Sequence, residues 1–167
     1  RQLADAYQRL SRPTQVVHLD DYLNPRAVRY RRGRSSPEGY FADTYDLVAF
    51  RRHVLQPLSV GGSRAILVRW FDFQEDAPFA VEPVVVPDDG VVIVEGMFLH
   101  RDGLSGAWDV SIFLNVPFEV SVGRMARRDG TSPDPDDPTN RRYVEGQRIY
   151  LSACSPTDHA TYVLDNW

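Results

Sequence analysis

Four β-branched residues in a row, Val91-Val92-Ile93-Val94, run straight into Glu95-Gly96. An unbroken apolar run of this kind marks a strand covered on both faces, and such strands belong to parallel sheets flanked by helices. Val16-Val17-His18-Leu19 reads as a short strand ending in Asp20-Asp21. Val110 to Val116 reads as another, and Tyr162-Val163-Leu164 as the last. Helical segments separate them. Leu3, Tyr7 and Leu10 share one helical face, ended by Arg12-Pro13. A second helix is expected with Asp43 as N-cap, Leu47, Phe50, Val54 and Leu55 facing inward, and Pro57 as its stop. Pro117 opens a third, which Gly130 closes. Tyr143, Gln147, Tyr150, Leu151 and Cys154 mark one face of a fourth. Ala65 to Phe73 and Val81 to Val86 read as two further strands, the latter at an edge beside Pro83 and Pro87. Asn24 to Gly39 shows no apolar period and reads as a loop or hairpin. Strands alternating with helices predict one α/β sandwich with a mostly parallel sheet.

Composition narrows the chemistry. The chain has 167 residues, the size of one domain, and a net charge of −4, so no general affinity for nucleic acid is expected. All 19 basic residues are Arg. A Schiff-base lysine and a phosphate-loop lysine are therefore absent from these residues. One cysteine, Cys154, allows neither an internal disulfide nor a thiolate zinc cluster. No apolar run approaches a membrane span and no signal peptide is visible, so the expectation is a cytoplasmic protein without membrane partners.

Ligands of open parallel sheets bind where the strands end at their carboxyl termini. Two strands here end in acids, at Asp20-Asp21 and at Glu95. A carboxylate there can take a proton from a substrate hydroxyl, and another can hold Mg²⁺ directly or through water. Asp20 or Asp21 could equally well only open a turn. Arg124, Arg127 and Arg128, with Asp129, end a helix before a loop. They fit either compensation of the helix dipole or a lid of guanidinium groups over phosphate. Asp43 is open between N-cap and ligand, and Asp72 between a turn cap and a hydrogen bond to a sugar. The arginines from Arg26 to Arg34 read as a solvated arm, with contact to an anionic substrate as the alternative. His18, His53, His100 and His159 show no metal-ligand spacing.

Taken in order, these segments resemble the uridine kinase-like branch of the P-loop kinases, related to phosphoribulokinases and bacterial-type pantothenate kinases. Val17-His18-Leu19-Asp20-Asp21-Tyr22 resembles the family strand whose Asp is the general base, which maps to Asp20. Gly39 to Asp46 resembles the segment whose Asp touches the ribose, which maps to Asp43. Trp70-Phe71-Asp72-Phe73 resembles the segment lining the nucleoside pocket, through Phe71 and Asp72. Val91 to Leu99 resembles the Walker B-type strand, with Glu95 toward the metal. Trp108 to Leu114 resembles the Asp-x-x-Ile/Val-Phe strand. Arg124 to Asp129 resembles the start of the lid, with Arg124, Arg127 and Arg128 on the ATP phosphates, and Arg142-Tyr143 and Ala160 to Asn166 resemble the family's end.

The resemblance implies a P-loop NTPase-like α/β fold. It also implies ATP and Mg²⁺ as cofactors and a small-molecule acceptor, most simply a nucleoside 5′-hydroxyl. Two departures stand out. Gly-x-x-x-x-Gly-Lys-Ser/Thr is absent, and Arg1 to Leu10 resembles the helix that follows it. Residues 1–167 are thus expected to be a single kinase domain, incomplete at its N-terminus, with the strand and phosphate loop upstream of Arg1. The family's His-Pro after the ribose-binding Asp and the His after the pocket segment have no equivalents. A non-catalytic binding module of the same fold, or a kinase for pantothenate or a sugar phosphate, are the alternative readings.

Overall fold

The computed structural model describes residues 2–167. In chain order the helices are α1 (Gln2–Arg9), α2 (Arg26–Arg29), α3 (Pro37–Asp43), α4 (Leu47–Phe50), α5 (Gln56–Leu58), α6 (Phe118–Asp129), α7 (Arg141–Cys154) and α8 (Pro156–His159). The strands are β1 (Thr14–His18), β2 (Ala65–Ile66), β3 (Phe71–Asp72), β4 (Ala77–Pro78), β5 (Val84–Val85), β6 (Val91–Glu95), β7 (Ile112–Asn115) and β8 (Tyr162–Asp165). They pair two by two, β1 with β6 and β7 with β8 in parallel, β2 with β5 and β3 with β4 antiparallel. The chain divides into two compact units, residues 2–29 with 44–97, and residues 30–43 with 98–167.

In the first unit, β1 and β6 run in register from Thr14 opposite Val91 to His18 opposite Glu95. The core beside them is Val17, Leu19, Tyr22, Phe50, Val54 and Ile66, all fully buried. Tyr22 meets Phe50 edge to face at 5.2 Å and its hydroxyl donates to the Leu67 carbonyl. Burial, with Asp21 nearby, pushes the Tyr22 phenol far above its ordinary range, so it stays a donor. Gly96 follows Glu95 for a steric reason. A Cβ there would lie 2.5 Å from Leu19 Cβ, so only glycine lets the end of β6 approach the turn after β1.

Several expectations change in this unit. Val91 to Val94 are half-buried rather than fully covered: β6 bonds to β1 on one edge and, among the described residues, to no strand on the other. The segment from Ala65 to Phe73 forms two short strands, β2 and β3, instead of one. The cap of α4 is Asp46, whose carboxylate accepts from Ala49 N–H at 2.9 Å, and not Asp43, which ends α3. Pro57 does not stop the helix, which passes through a π-helical turn at Arg51–Leu55 into α5. Pro57 has no N–H to offer the His53 carbonyl, and that carbonyl accepts from Leu67 N–H at 3.1 Å instead.

The second unit packs α3 against α7. Gly146 permits the close approach, since a Cβ there would lie 2.7 Å from the Tyr40 ring. Tyr40, Phe41, Phe98 and Tyr150 form an aromatic cluster, and Leu104, Val122 and Val144 are also buried in this unit. The stretch from Asn24 to Gly39, expected as a loop, contains α2 and the start of α3. Ser36 caps α3 through its hydroxyl, which accepts from Gly39 N–H at 2.9 Å, and Pro37 takes the first helical position. Gly130, with φ 71°, closes α6 as expected. Among the described residues no helix is long and apolar enough to cross a membrane.

Gly96→Ala tests the approach of β6 to Leu19. It should cost about 1–3 kcal/mol, the usual penalty for forcing a methyl into a filled site. Urea unfolding monitored by Trp fluorescence measures it, and a midpoint equal to wild type would contradict the packing.

Candidate active site

The β1–β6 ladder delivers two acids to one end. Its last register pair is His18 with Glu95, and two residues later the chain carries Asp20 on a 3-10 turn at Leu19–Tyr22. Glu95 Oε1 lies 2.7 Å from His18 Nδ1, with both side chains half-exposed. Asp20 is exposed, and its Oδ1 accepts from the Tyr45 hydroxyl at 2.8 Å. Asp21 lies 3.6 Å from Arg69 Nε, and its carbonyl accepts from Trp70 N–H at 3.0 Å. That bond ties the start of the β3–β4 hairpin to the acidic turn.

The hairpin residues divide. Phe71 is buried in the core of the first unit. Asp72 closes the hairpin, its Oδ1 accepting from Gln74 N–H at 2.9 Å and Glu75 N–H at 3.3 Å, as in an Asx turn. Trp70, just before them, stacks on His53 at 4.6 Å. Burial, then Arg52, lowers the His53 pKa, so its ring is neutral against the indole near pH 7. The hairpin tip is held by Arg26, which donates to the Phe73 and Gln74 carbonyls, and by Asp76, which accepts from Arg26 N–H at 2.8 Å.

Asp43, Arg124, Arg127 and Arg128 belong to the second unit. Asp43 is 3% exposed; Arg31 donates to one of its oxygens, and Arg32 Nε donates to the other at 2.8 Å. The Arg31 hydrogen bond, then that of Arg32, holds the Asp43 carboxyl below its usual range against the opposing effect of burial. The guanidinium groups of Arg31 and Arg32 are themselves about half-exposed. On α6, Arg124 and Arg127 are exposed, and Arg128 pairs at 2.7 Å with Asp129 through both carboxylate oxygens. Arg142 on α7 donates to the Arg34 carbonyl at 2.9 Å and lies over the Tyr30 and Tyr40 rings. The arginine arm is thus engaged rather than simply solvated.

Sequence reasoning missed four partners. His18 could have been found by pairing the two strands in register. Tyr45 gives no signal in one dimension, because its partner lies 25 residues away across a turn. Arg31 and Arg32 were seen as charge but not as partners of Asp43. Among the described residues no group of three or more His, Cys, Asp or Glu side chains could hold a metal ion. The ladder end therefore offers separate carboxylates and not a cage.

No family model matches the sequence, and no curated protein is significantly similar to it. Solved structures do match. A possible uridine kinase from Bacillus stearothermophilus superimposes with a TM-score of 0.75 at 21% identity, over 98% of this chain and 78% of that one. A candidate fructose transport system kinase from Silicibacter sp. TM1040 gives 0.68 at 24% identity, over 98% of this chain and 80% of that one. The protein shares the α/β fold of these two structures, with parallel strand pairs and acids at the carboxyl end of one of them.

The Asp43 cluster carries a pH prediction. Its folded pKa is depressed, so its contribution is complete above the unfolded value near 3.8 and fades as pH falls through the lower folded value. Asp43→Asn should cost about 1.5–3 kcal/mol at neutral pH, the range for hydrogen bonds to a charged group. In urea titrations the gap from wild type should shrink only below about pH 4. A gap that stays constant from pH 7 down to pH 2 would contradict the ion pair.

Proposed function

We propose that the protein is a small-molecule kinase of the uridine kinase-like group. In this reading ATP donates its γ-phosphoryl group to a hydroxyl, with the 5′-hydroxyl of a nucleoside such as uridine as acceptor. The supporting observation is the β1–β6 ladder, which ends in Asp20 and Glu95 within a fold shared with kinases. Asp20 accepts the hydroxyl proton as the acceptor oxygen bonds to the γ-phosphorus. The bond from that phosphorus to the β–γ bridging oxygen breaks, and ADP leaves. Such transfer needs positioning and charge stabilisation more than covalent help. The resemblance assigns Arg124, Arg127 and Arg128 to the phosphates and Phe71, Asp72 and Asp43 to the acceptor.

Mg²⁺ suits the acidic end. It commonly takes one or two carboxylates and fills its octahedron with phosphate oxygens and water. Glu95, half-exposed and engaged through one oxygen with His18, would hold it directly or through water. Bound Mg²⁺ would offset phosphate charge during transfer. The 167 residues contain no lysine and no phosphate-loop motif, so the reading takes them as one kinase domain whose phosphate cradle comes from residues outside them. Among the described residues β6 pairs with a strand on one edge, and in this reading the strand leading into that loop would pair on the other. The cytoplasm, where ATP is plentiful, is the proposed location.

One observation favours a second reading, a kinase for an acidic acceptor such as pantothenate or a sugar phosphate. Both Asp43 oxygens are engaged by arginines, while the outer edges of Arg31 and Arg32 reach solvent. Guanidinium groups presented this way suit a carboxylate or phosphate better than a ribose hydroxyl.

Transfer of radiolabelled γ-phosphate from ATP to uridine, cytidine, pantothenate and a sugar phosphate tests both readings in the full-length protein. Asp20→Asn should lower kcat roughly 10²–10⁴-fold with little change in ATP affinity. Near-normal turnover would remove Asp20 from the role of base. Transfer to none of the four acceptors would defeat the kinase reading.

A further inference from the structure

Resting on the kinase reading, we infer that Tyr45 is the positioning residue of the base Asp20. Its side chain is buried, 4% exposed, while the carboxylate it reaches is exposed. The phenol donates to Asp20 Oδ1 at 2.8 Å, since an ionised carboxylate can only accept. That leaves Oδ2 to meet an acceptor hydroxyl.

The backbone shows why this contact is firm. Leu23 and Tyr45 form an antiparallel bridge, so the strip at 44–46 is zipped to the residues that follow the acidic turn. Asn24 N–H donates to the Thr44 carbonyl at 2.9 Å, and Asn24 Nδ2 to the Tyr45 carbonyl at 2.9 Å. Asp46 N–H donates to the Tyr22 carbonyl at 2.7 Å. Phenol and carboxylate therefore project from two hydrogen-bonded pieces of chain. An aspartate on an exposed turn otherwise samples several χ1 and χ2 states, and freezing it at the moment of reaction costs entropy.

The chemical nature of the partner matters as much as its position. Asp43 and Asp129 are bound by arginines, and Asp21 faces Arg69. A carboxylate facing a full positive charge is a poor proton acceptor. Asp20 is oriented by a neutral phenol, in a chain whose basic residues are all arginine. Tyr45 thus fixes the direction of the carboxylate without neutralising it.

A double-mutant cycle in the full-length protein tests this, with ATP and each of uridine, pantothenate and a sugar phosphate as substrates. Tyr45→Phe keeps the ring and removes only the hydroxyl. It should lower kcat about tenfold, the scale of one hydrogen bond to a charged group, with both KM values within about twofold of wild type. In the Asp20→Asn background the same change should alter kcat less than about twofold, because there is no base left to aim. Urea unfolding of the four proteins gives a readout independent of activity: the two substitutions should cost less together than the sum of their separate costs. A kcat for Tyr45→Phe within about twofold of wild type would overturn the inference. So would an equal fall in both backgrounds, or purely additive stability effects. A wild-type protein that transfers phosphate to no acceptor would overturn the kinase reading and this inference with it; a wild type that is active but indifferent to the hydroxyl would overturn the inference alone.

Discussion

His18 and Glu95 are the last register pair of a parallel ladder, and the arrival of Glu95 and Asp20 at one end of the sheet follows from that pairing. Parallel strands leave the sheet in the same direction, so their carboxyl ends emerge together. The register then sets which side chains meet: His18 faces Glu95 and holds it at 2.7 Å, while Asp20 sits one turn further along. A slip of one residue would send each side chain to the other face of the sheet. Gly96 protects the arrangement from the other side, since any Cβ would collide with Leu19 and push the end of β6 away from the acidic turn.

A chain with arginine as its sole cation uses that residue in ways lysine would not serve. The planar fork of Arg142 bonds a backbone carbonyl while its face lies over two tyrosine rings. Arg26 spans the tip of the β3–β4 hairpin through two carbonyls. Arg31 and Arg32 each give an edge to buried Asp43. What reads in one dimension as an unstructured run of charge is, in three, a set of cross-links. Ordering by hydrogen bonds from guanidinium groups explains how a stretch with no apolar period still contains two helices.

The legible part of the sequence was the part governed by local rules. The β-branched run at Val91, the acids ending β1 and β6, and the Gly130 stop depend on neighbours within a turn or a strand, and each lies where the pattern puts it. The parallel sense of β1 with β6 and of β7 with β8 followed from the alternation of strands and helices. The failures were long-range or competitive. Asp43 and Asp46 both had the chemistry of an N-cap. Only the placement of two arginines some ten residues earlier decides that Asp43 goes to them and leaves the cap to Asp46. Ser36-Pro37 did carry a local cap signal, which the density of arginine around it obscured. Tyr45 reaches Asp20 through a bridge between distant segments, which no spacing rule encodes.

Four successive residues at 43–46 show how one short stretch can tie several segments of chain together. Asp43 takes Arg31 and Arg32, Thr44 gives its carbonyl to Asn24, Tyr45 gives its hydroxyl to Asp20, and Asp46 caps α4. Each of these bonds restrains the backbone on which the next depends. Of the four, the Tyr45 phenol is the group directed at the exposed Asp20 carboxylate. The other three contacts restrain the stretch, and the restraint is delivered to the carboxylate at the end of β1. A carboxylate on a solvent-exposed turn gains its direction from the hydrogen-bonded strip behind it, in the way pre-organised sites draw on the rigidity of the structure behind them.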